Sequence, residues 1–341
     1  MTRQTQVLSI LLGVQIVLAA ILYFTEADIG AFVSNEKLLG LQFDVLTKIA
    51  IEEAPNTTLV LEKQNQNWKL PGYFGFPASR EKLDRIFKNM LDKNVDWPVA
   101  TTASAGQRFK VASDSFERKL TFSSASASEI LYLGTSPGFK KIHARIDGKN
   151  DIYAIEFSAY QASTKPIDWA DQSILHVPRD EIDAIEIAGL RLQRDKHKFA
   201  LEGLDPMEET VDSEAQTLLS NVSSLGFQEV LGNKDDPAYQ LDKPALVFSL
   251  VKKDNQKIEY RYGRLKDKED YVLKASGSDY YFLIPKYNVD TLSGFDRKKL
   301  VILVPPPAPI PAPETEPRAG TSPPTKVAPA AVQPPSKAKG K

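Results

Sequence analysis

The chain repeats itself: a stretch from about Asp44 to Leu175 recurs, in degenerate form, from about Asp180 to Leu300. A duplication constrains the fold strongly, because both copies must build the same core and the same turns. Residues shared by both copies are therefore interpreted as fold residues, since a catalytic group need not repeat. The matched segments are Ile49-Ala50-Ile51 with Ile185-Glu186-Ile187, Trp68-Lys69-Leu70 with Phe199-Ala200-Leu201, Leu131-Tyr132-Leu133-Gly134 with Tyr260-Arg261-Tyr262-Gly263, and Asp151-Ile152-Tyr153 with Asp279-Tyr280-Tyr281.

Each copy predicts an α+β unit in which an antiparallel sheet carries one amphipathic helix. Runs of neighbouring strands with a single helix favour this class over alternating βαβ units. The predicted helices carry their apolar residues at helical spacing, namely Leu83, Ile86, Phe87, Met90 and Leu91 in the first copy and Ala215, Leu218, Leu219 and Val222 in the second. The predicted strands are 48–53, 57–63, 68–70, 116–122, 129–133, 141–146 and 152–157 in the first copy, and 184–187, 190–194, 199–201, 246–252, 257–262, 270–274 and 280–284 in the second.

An uncharged apolar run precedes the repeats. Val7 to Phe24 is long enough to cross a bilayer core of ~30 Å as a helix. The run is longer than the apolar region of a cleaved signal, and Tyr23-Phe24-Thr25-Glu26 is a poor cleavage site. We therefore expect one transmembrane helix that anchors the protein, with a cleaved signal or a buried helix as alternatives. Arg3 before the run and Asp28 after it place the bulk of the chain outside the cytoplasm, on the periplasmic side of an inner membrane.

The predicted organisation has five parts. Residues 1–28 are the transmembrane anchor, 29–43 a connector, 44–178 the first α+β repeat and 179–303 the second. Residues 304–341 form a Pro/Ala-rich tail that cannot bury a core and is expected to be extended and disordered. The tail ends in Lys337, Lys339 and Lys341, so it is either a reaching element with a basic tip or a passive end.

Composition excludes several function classes. The net charge is −1, which gives no electrostatic basis for nucleic-acid binding. The chain contains no cysteine, so disulfides and thiolate catalysis are excluded.

Candidate catalytic and ligand-binding motifs are weak. Gly134-Thr135-Ser136-Pro137-Gly138 has the letters of a nucleophile elbow, but a strand and not a helix is predicted after it. Pro137 also lacks the backbone N–H that usually helps to form the oxyanion hole, so Ser136 is interpreted as a turn residue.

The remaining candidates have ordinary structural explanations. His143, His176 and His197 have no metal-ligand spacing, and 233–236 (Asn-Lys-Asp-Asp) lacks the glycine and distal glutamate of a calcium loop. We therefore predict no catalytic residues, no cofactor and no metal site. A cluster of tyrosines is either a binding surface or an ordinary half-exposed sheet, and comprises Tyr260, Tyr262, Tyr271, Tyr280 and Tyr281.

These patterns together resemble the bacterial domain of unknown function 4340. The resemblance covers roughly residues 44–300 and rests on Glu62-Lys63 with Trp68 and Leu70, on the turn Leu133-Gly134, on the strand containing Tyr153, and on the endings Asp171–Leu175 and Asp296–Leu300. Phe199 replaces the tryptophan in the second copy. The family is often found beside ABC transporters and gliding-motility-type envelope components, and it has no established catalytic residues to carry over.

The resemblance and the predicted anchor lead to one expectation and two alternatives. We expect a non-enzymatic extracytoplasmic scaffold or accessory subunit, held in the membrane by its N-terminal helix, of an ABC-type transporter or envelope complex. The first alternative is a periplasmic module that binds a lipid or glycan in a groove between the repeats, and the second is an enzyme. If the protein docks onto a partner, its surface should carry exposed apolar patches. If it binds a ligand, it should contain an enclosed apolar pocket.

Overall fold

The computed structural model describes Gln4 and residues 11–18, 36–55 and 57–304. Residues 11–18 are helical, but the rest of the predicted anchor, Val7–Phe24, lies outside the described residues. Within the part of the chain that is described, no helix combines the length and the apolar character needed to cross a membrane. The predicted tail lies outside the described residues from position 305 onward.

The fold is α+β, with two eight-stranded antiparallel sheets. The first sheet has the order β10-β9-β8-β7-β1-β2-β3-β4. Its strands are β1 (Leu46–Glu53), β2 (Thr57–Gln64), β3 (Asn67–Leu70), β4 (Phe76–Pro77), β7 (Arg118–Ser124), β8 (Ser128–Leu133), β9 (Lys141–Ile146) and β10 (Ile152–Glu156). A separate hairpin consists of β5 (Val111–Ala112) and β6 (Ser115–Phe116).

The second sheet has the order β13-β12-β11-β16-β17-β18-β19-β15. Its strands are β11 (Ile182–Ile187), β12 (Leu190–Asp195), β13 (Lys198–Leu201), β15 (Glu229–Gly232), β16 (Leu246–Lys252), β17 (Lys257–Arg264), β18 (Tyr271–Ala275) and β19 (Tyr281–Ile284). A small two-stranded sheet pairs β14 (Glu208–Thr210) with β20 (Val301–Leu303). Read from its other end, this sheet contains the run β19-β18-β17-β16-β11-β12-β13, which corresponds strand by strand to β10-β9-β8-β7-β1-β2-β3 of the first sheet. This shared order fits two repeats.

The predicted amphipathic helix of each unit is present. Helix α1 follows Ser79, whose side chain accepts a hydrogen bond from the Lys82 backbone N–H. It consists of Arg80–Leu83, a π-helical segment Asp84–Lys88, and Asn89–Asp92. Four further α-helices follow in chain order: α2 (Ala105–Arg108), α3 (Asp212–Ser223), α4 (Lys286–Ser293) and α5 (Arg297–Leu300). Both apolar stripes predicted from the sequence, on α1 and on α3, are buried.

A continuous cluster of buried residues joins the two units into one core. In the first unit, Phe87 of α1 stacks on Trp169 with 5.2 Å between ring centroids and meets Phe122 of β7 edge to face. Trp169 belongs to the segment that leaves β10 and leads to β11. The connection between the sheets is therefore packed into the core of the first unit as well as linking it to the second.

Aromatic side chains hold the two units together. Phe76 of the first sheet packs against Tyr280, Phe227 and Phe282 of the second unit, with centroid distances of 4.8, 5.8 and 6.1 Å. The backbone N–H of Val230 donates to the Tyr73 hydroxyl at 2.8 Å, and the Tyr280 hydroxyl donates to the Gly75 carbonyl at 3.3 Å. These contacts fix how the two sheets are placed relative to each other.

Candidate functional site

Two open grooves lie on either side of His176, in the segment that connects the sheets. We call them the first and second linker grooves. The first has a volume of ≈ 360 Å³ and the second ≈ 460 Å³. His176 lines both and is itself exposed, and the backbone beside it pairs with the end of α3: Val177 donates to the Ser223 carbonyl at 2.9 Å.

The first linker groove combines polar and aromatic side chains. It runs from Ile174 and His176 of the connecting segment to the ends of β17 and β18 in the second sheet, where its lining includes Tyr260, Ser276 and Tyr280. Burial raises the pKa of Tyr260 to about 12, and burial followed by the charge of Asp279 raises the pKa of Tyr280. Both phenols are therefore neutral hydrogen-bonding groups at physiological pH.

The second linker groove is lined by charged side chains of the first unit. Arg80, Lys82 and Arg85 project from α1, and Asp168 and Ser173 come from the connecting segment. The Lys82 ammonium donates to the Asp168 carbonyl and lies 5.2 Å from the centroid of the Trp169 ring. Burial lowers the pKa of Lys82 and outweighs the nearby carboxylate of Asp168. This groove therefore presents charged and polar hydrogen-bonding groups to the solvent.

The structure places Ser136 in the connection between β8 and β9. Its hydroxyl lies 2.8 Å from the Gly138 carbonyl and 2.7 Å from the Lys141 carbonyl, so it donates to the backbone. A strand, β9, follows the motif, as predicted, in place of the helix that a nucleophile elbow needs. Ser136 therefore closes a turn within the first sheet.

His143 is the buried histidine of the three. It is 6% exposed, and its Nδ1 lies 3.0 Å from the Thr135 hydroxyl. The ring centroids of His143 and Phe109 are 4.2 Å apart. Burial lowers the pKa of His143, a hydrogen bond with the Thr135 backbone opposes that shift, and the charge of Arg108 adds to it. His143 is thus a neutral core residue on β9.

The other predicted candidates are dispersed. His197 is exposed in the β12–β13 turn, where Lys196 has φ 55°. Asp236, in the polar segment 233–236, accepts from the Ala238 N–H and begins a short 3-10 helix at Pro237–Tyr239. Within the described ranges, no group of three or more acidic or histidine side chains could hold a metal ion.

The tyrosine cluster does not form one binding surface. Tyr260, Tyr262 and Tyr281 are buried, and Tyr260 stacks on Phe248 with 4.6 Å between centroids. Burial raises the pKa of Tyr262, and burial followed by Asp235 raises that of Tyr281. Tyr280 reaches the first linker groove but also supports the contact between the units. Along β17 the buried Tyr260 and Tyr262 alternate with the solvent-accessible Glu259 and Arg261, which is the pattern of an ordinary half-exposed sheet.

Single sequence motifs do not predict the linker grooves. Their lining comes from three segments that are far apart in the chain, 79–85, 168–177 and 256–280. The family-like segment Asp171–Leu175 is the one sequence motif that lies near these grooves. Its aspartate caps a short helix, because the Asp171 side chain accepts a hydrogen bond from the Ser173 N–H.

The fold and these grooves define a class of protein. It is an α+β protein in which two similar antiparallel sheets share one core, and the segment that connects the sheets lines two open grooves. Residues 68–244 match the family model described as Domain of unknown function (DUF4340). This match covers more than half of the chain, so the protein belongs to that family. Neither the curated proteins nor the solved structures contain a significant match to it.

The matched region contains the whole connection between the sheets. It begins at Trp68, whose side chain is 2% exposed, and includes Tyr73 and Phe76 of the interface. Gly134 also falls within it: a Cβ there would lie 2.0 Å from the Phe109 carbonyl oxygen. The family motif at Leu133-Gly134 is therefore explained by a close backbone approach.

Proposed function

We propose that the protein is a non-enzymatic scaffold or accessory subunit of a membrane transporter or envelope complex. It is anchored in the inner membrane by residues 7–24, and its folded part is extracytoplasmic. The observation that carries the docking role is the pair of linker grooves, which are open and lined by both charged and apolar groups. Such surfaces suit the polar and apolar mixture of a protein partner.

The contact between the two units supports the same role. The first linker groove depends on the placement of one unit relative to the other, because Tyr280, which lines it, packs on Phe76. A preorganised surface loses little freedom when a partner binds, which is what a scaffold requires.

Co-purification with matched surface variants tests the proposal. Ile174 lines the first linker groove and is 36% exposed, whereas Val247, on β16, is 37% exposed and lines neither groove. The full-length tagged chain, cross-linked in its native membranes, should retain a membrane protein. Ile174→Glu should reduce that recovery at least about tenfold, equivalent to ~1.4 kcal/mol, and Val247→Glu should not.

Equal recovery with both variants would show that the linker grooves are not the docking site. Retention of no membrane protein above the untagged background would contradict the accessory-subunit role itself.

The orientation has its own test. Alkaline phosphatase and a fluorescent reporter that matures only in the cytoplasm are fused, separately, after Leu300. Phosphatase activity without fluorescence is expected, because Arg3 precedes the apolar run and Glu26 and Asp28 follow it. The reverse pattern would place the folded part in the cytoplasm.

A binding module for a lipid or glycan is the second candidate. The first linker groove, at ≈ 360 Å³, falls within the range of roughly 300–1,000 Å³ that ligand sites occupy. Native mass spectrometry of the protein extracted from its own membranes would reveal a stoichiometric adduct. An adduct that is lost with Tyr280→Ala and kept with Tyr287→Ala would favour this function over docking.

A further inference from the structure

The three most exposed aromatic side chains of the described residues lie around one ion pair. Tyr160 is 92% exposed, Phe139 88% and Trp97 73%. The ion pair joins Lys93, just after α1, to Glu156 at the end of β10. Exposed apolar side chains that occur singly are ordinary, but when they are grouped they mark a surface that contacts something else. We call these five residues the aromatic face.

Two shallow grooves lie at the ion pair of the aromatic face, and residues close in sequence to its aromatic members line them. Both are lined by Met90, Lys93 and Glu156, so the ion pair separates them. The groove on one side continues to Asp96 and Lys141, which adjoin Trp97 and the Phe139-Lys140 pair in the chain. The groove on the other side continues to Phe157 and Gln161, which bracket Tyr160.

Lysine side chains accompany the aromatic residues. The Lys140 ammonium lies 5.0 Å from the centroid of the Phe139 ring. Lys93, by its hydrogen bond and charge, and then Lys141 and Lys140, lower the pKa of Glu156. Lys141 also lies opposite Glu156 in the pairing of β9 with β10, so Lys140 and Lys141 place positive charge beside the ion pair.

The described chain enters the fold beside this same face. The Val95 N–H donates to the Glu36 carbonyl at 2.9 Å, Lys37 forms a β-bridge with Asn94, and Leu38 lines the groove that contains Lys93 and Lys141. Residues 25–35 separate this entry point from the apolar run that ends at Phe24. Fully extended, eleven residues reach at most about 40 Å.

We propose that the aromatic face lies on the phospholipid surface of the membrane, with its aromatic rings at the level of the headgroups and the neighbouring Lys140 and Lys141 against the phosphates. The inference rests on the proposed membrane anchor, which is joined to the fold at this edge. Tryptophan and other amphipathic aromatic side chains favour the membrane–water interface, and exposed lysines add attraction to phosphates there.

Tryptophan fluorescence tests the proposal directly. The chain has three tryptophans, and Trp68 and Trp169 are 2% and 0% exposed. The full chain is reconstituted into vesicles of phosphatidylcholine and phosphatidylglycerol that carry a nitroxide near the headgroup. We expect the lipid nitroxide to quench part of the emission, and acrylamide in the water to quench that part poorly. Trp97→Phe should remove the emission component that the lipid nitroxide quenches and that acrylamide quenches poorly.

A matched pair of exposed residues controls for general effects on binding. Phe139→Ser should lower the nitroxide quenching of Trp97 by at least about half, because it removes an interfacial anchor. Tyr287→Ser should leave the quenching unchanged, since Tyr287 is 69% exposed on α4 in the second unit.

Flotation of the vesicles separates this inference from the proposed function. Co-flotation that resists alkali, with Trp97 open to acrylamide and untouched by the nitroxide, supports the anchor and overturns the inference. Quenching of Trp97 without alkali-resistant flotation supports the aromatic face and contradicts the anchor. If neither occurs, both proposals are wrong.

Discussion

Gly134 and Gly263 occupy corresponding places in the two sheets, and each allows another segment of backbone to cross it. A Cβ on Gly134 would lie 2.0 Å from the Phe109 carbonyl oxygen, and one on Gly263 would lie 1.9 Å from the Tyr239 carbonyl oxygen. The residue after each carbonyl has a positive φ, 53° at Lys110 and 51° at Gln240. The close approach is thus a shared feature of both units, and a catalytic interpretation of Gly134 is unnecessary.

The two glycines of the Gly134–Gly138 motif should therefore respond differently to alanine. Gly134→Ala should lower the free energy of unfolding by about 3 kcal/mol, since the methyl group must displace backbone. Gly138 has no neighbouring heavy atom within 4 Å of the added Cβ. Gly138→Ala should change stability by less than about 0.5 kcal/mol. Denaturant unfolding measures both, and similar losses for the two variants would refute the close-approach explanation.

His143 should make stability depend on pH near neutrality. Burial holds its folded pKa below the ordinary value of 6.5. As the pH falls below 6.5, the unfolded chain binds a proton that the folded protein does not, so the folded state loses stability until the folded pKa is reached. His176 and His197 are exposed and serve as controls.

The measurement is the free energy of unfolding between pH 7.5 and pH 5.5. His143→Gln should flatten this dependence, and His197→Gln should preserve it. A slope that survives in His143→Gln would assign the effect to other groups.

At the scale of elements, aspartates begin the last short helix of each unit. Asp171 accepts from the Ser173 N–H and Asp296 from the Lys299 N–H, each at 2.9 Å. The helices they begin place Leu175 and Leu300 in the core, where these side chains are 3% and 0% exposed. The recurring aspartate and leucine, four positions apart, are explained by a cap and a buried anchor.

Removing a cap should cost a predictable amount. Asp296→Ala should destabilise the protein by about 1 kcal/mol, because an N–H in the first turn of α5 loses its acceptor. Asp296→Asn keeps an acceptor and should stay within a few tenths of a kcal/mol of the parent. The melting temperatures of the two variants give the comparison, and equal shifts would show that the charge of Asp296, and not its capping bond, matters.

Elements with strong patterns were predictable from the sequence. β9 (Lys141–Ile146) and β16 (Leu246–Lys252) begin and end at the predicted residues, because apolar residues at strand spacing are bounded there by turn residues. Helix α4 (Lys286–Ser293) was not predicted, since it buries only Val289 and Leu292. The π-helical segment of α1 was also missed, because it leaves the same apolar stripe buried.

The candidate site was less predictable than the sheets. The turn at Ser136 follows from its local sequence, but the first linker groove includes Tyr280, whose position depends on where one sheet packs against the other. That placement is set by Phe76, Phe227 and Phe282, whose contacts span more than 150 positions of sequence. Periodicity shows that each of these residues is buried and cannot show which residue it meets.

At the scale of the whole molecule, the interface around Phe76 decides whether the two units unfold together. It contains four aromatic rings and the two hydrogen bonds made by Tyr73 and Tyr280. Burial raises the pKa of the Tyr73 hydroxyl, which therefore stays protonated at neutral pH. We expect the two units to unfold in one cooperative transition.

Phe76→Ala should weaken that coupling. The substitution should lower the free energy of unfolding by about 3–5 kcal/mol, as for other large-to-small changes in a core. All three tryptophans lie in the first unit, so their fluorescence reports on it alone, while far-ultraviolet circular dichroism reports on both sheets. The two denaturation curves should coincide for the parent chain and separate for Phe76→Ala.

Phe122→Ala is the control, because Phe122 is equally buried but packs on Phe87 within the first unit. It should cost a similar free energy with the curves still coincident. Curves that separate in both variants, or in neither, would mean that the aromatic interface does not couple the two units.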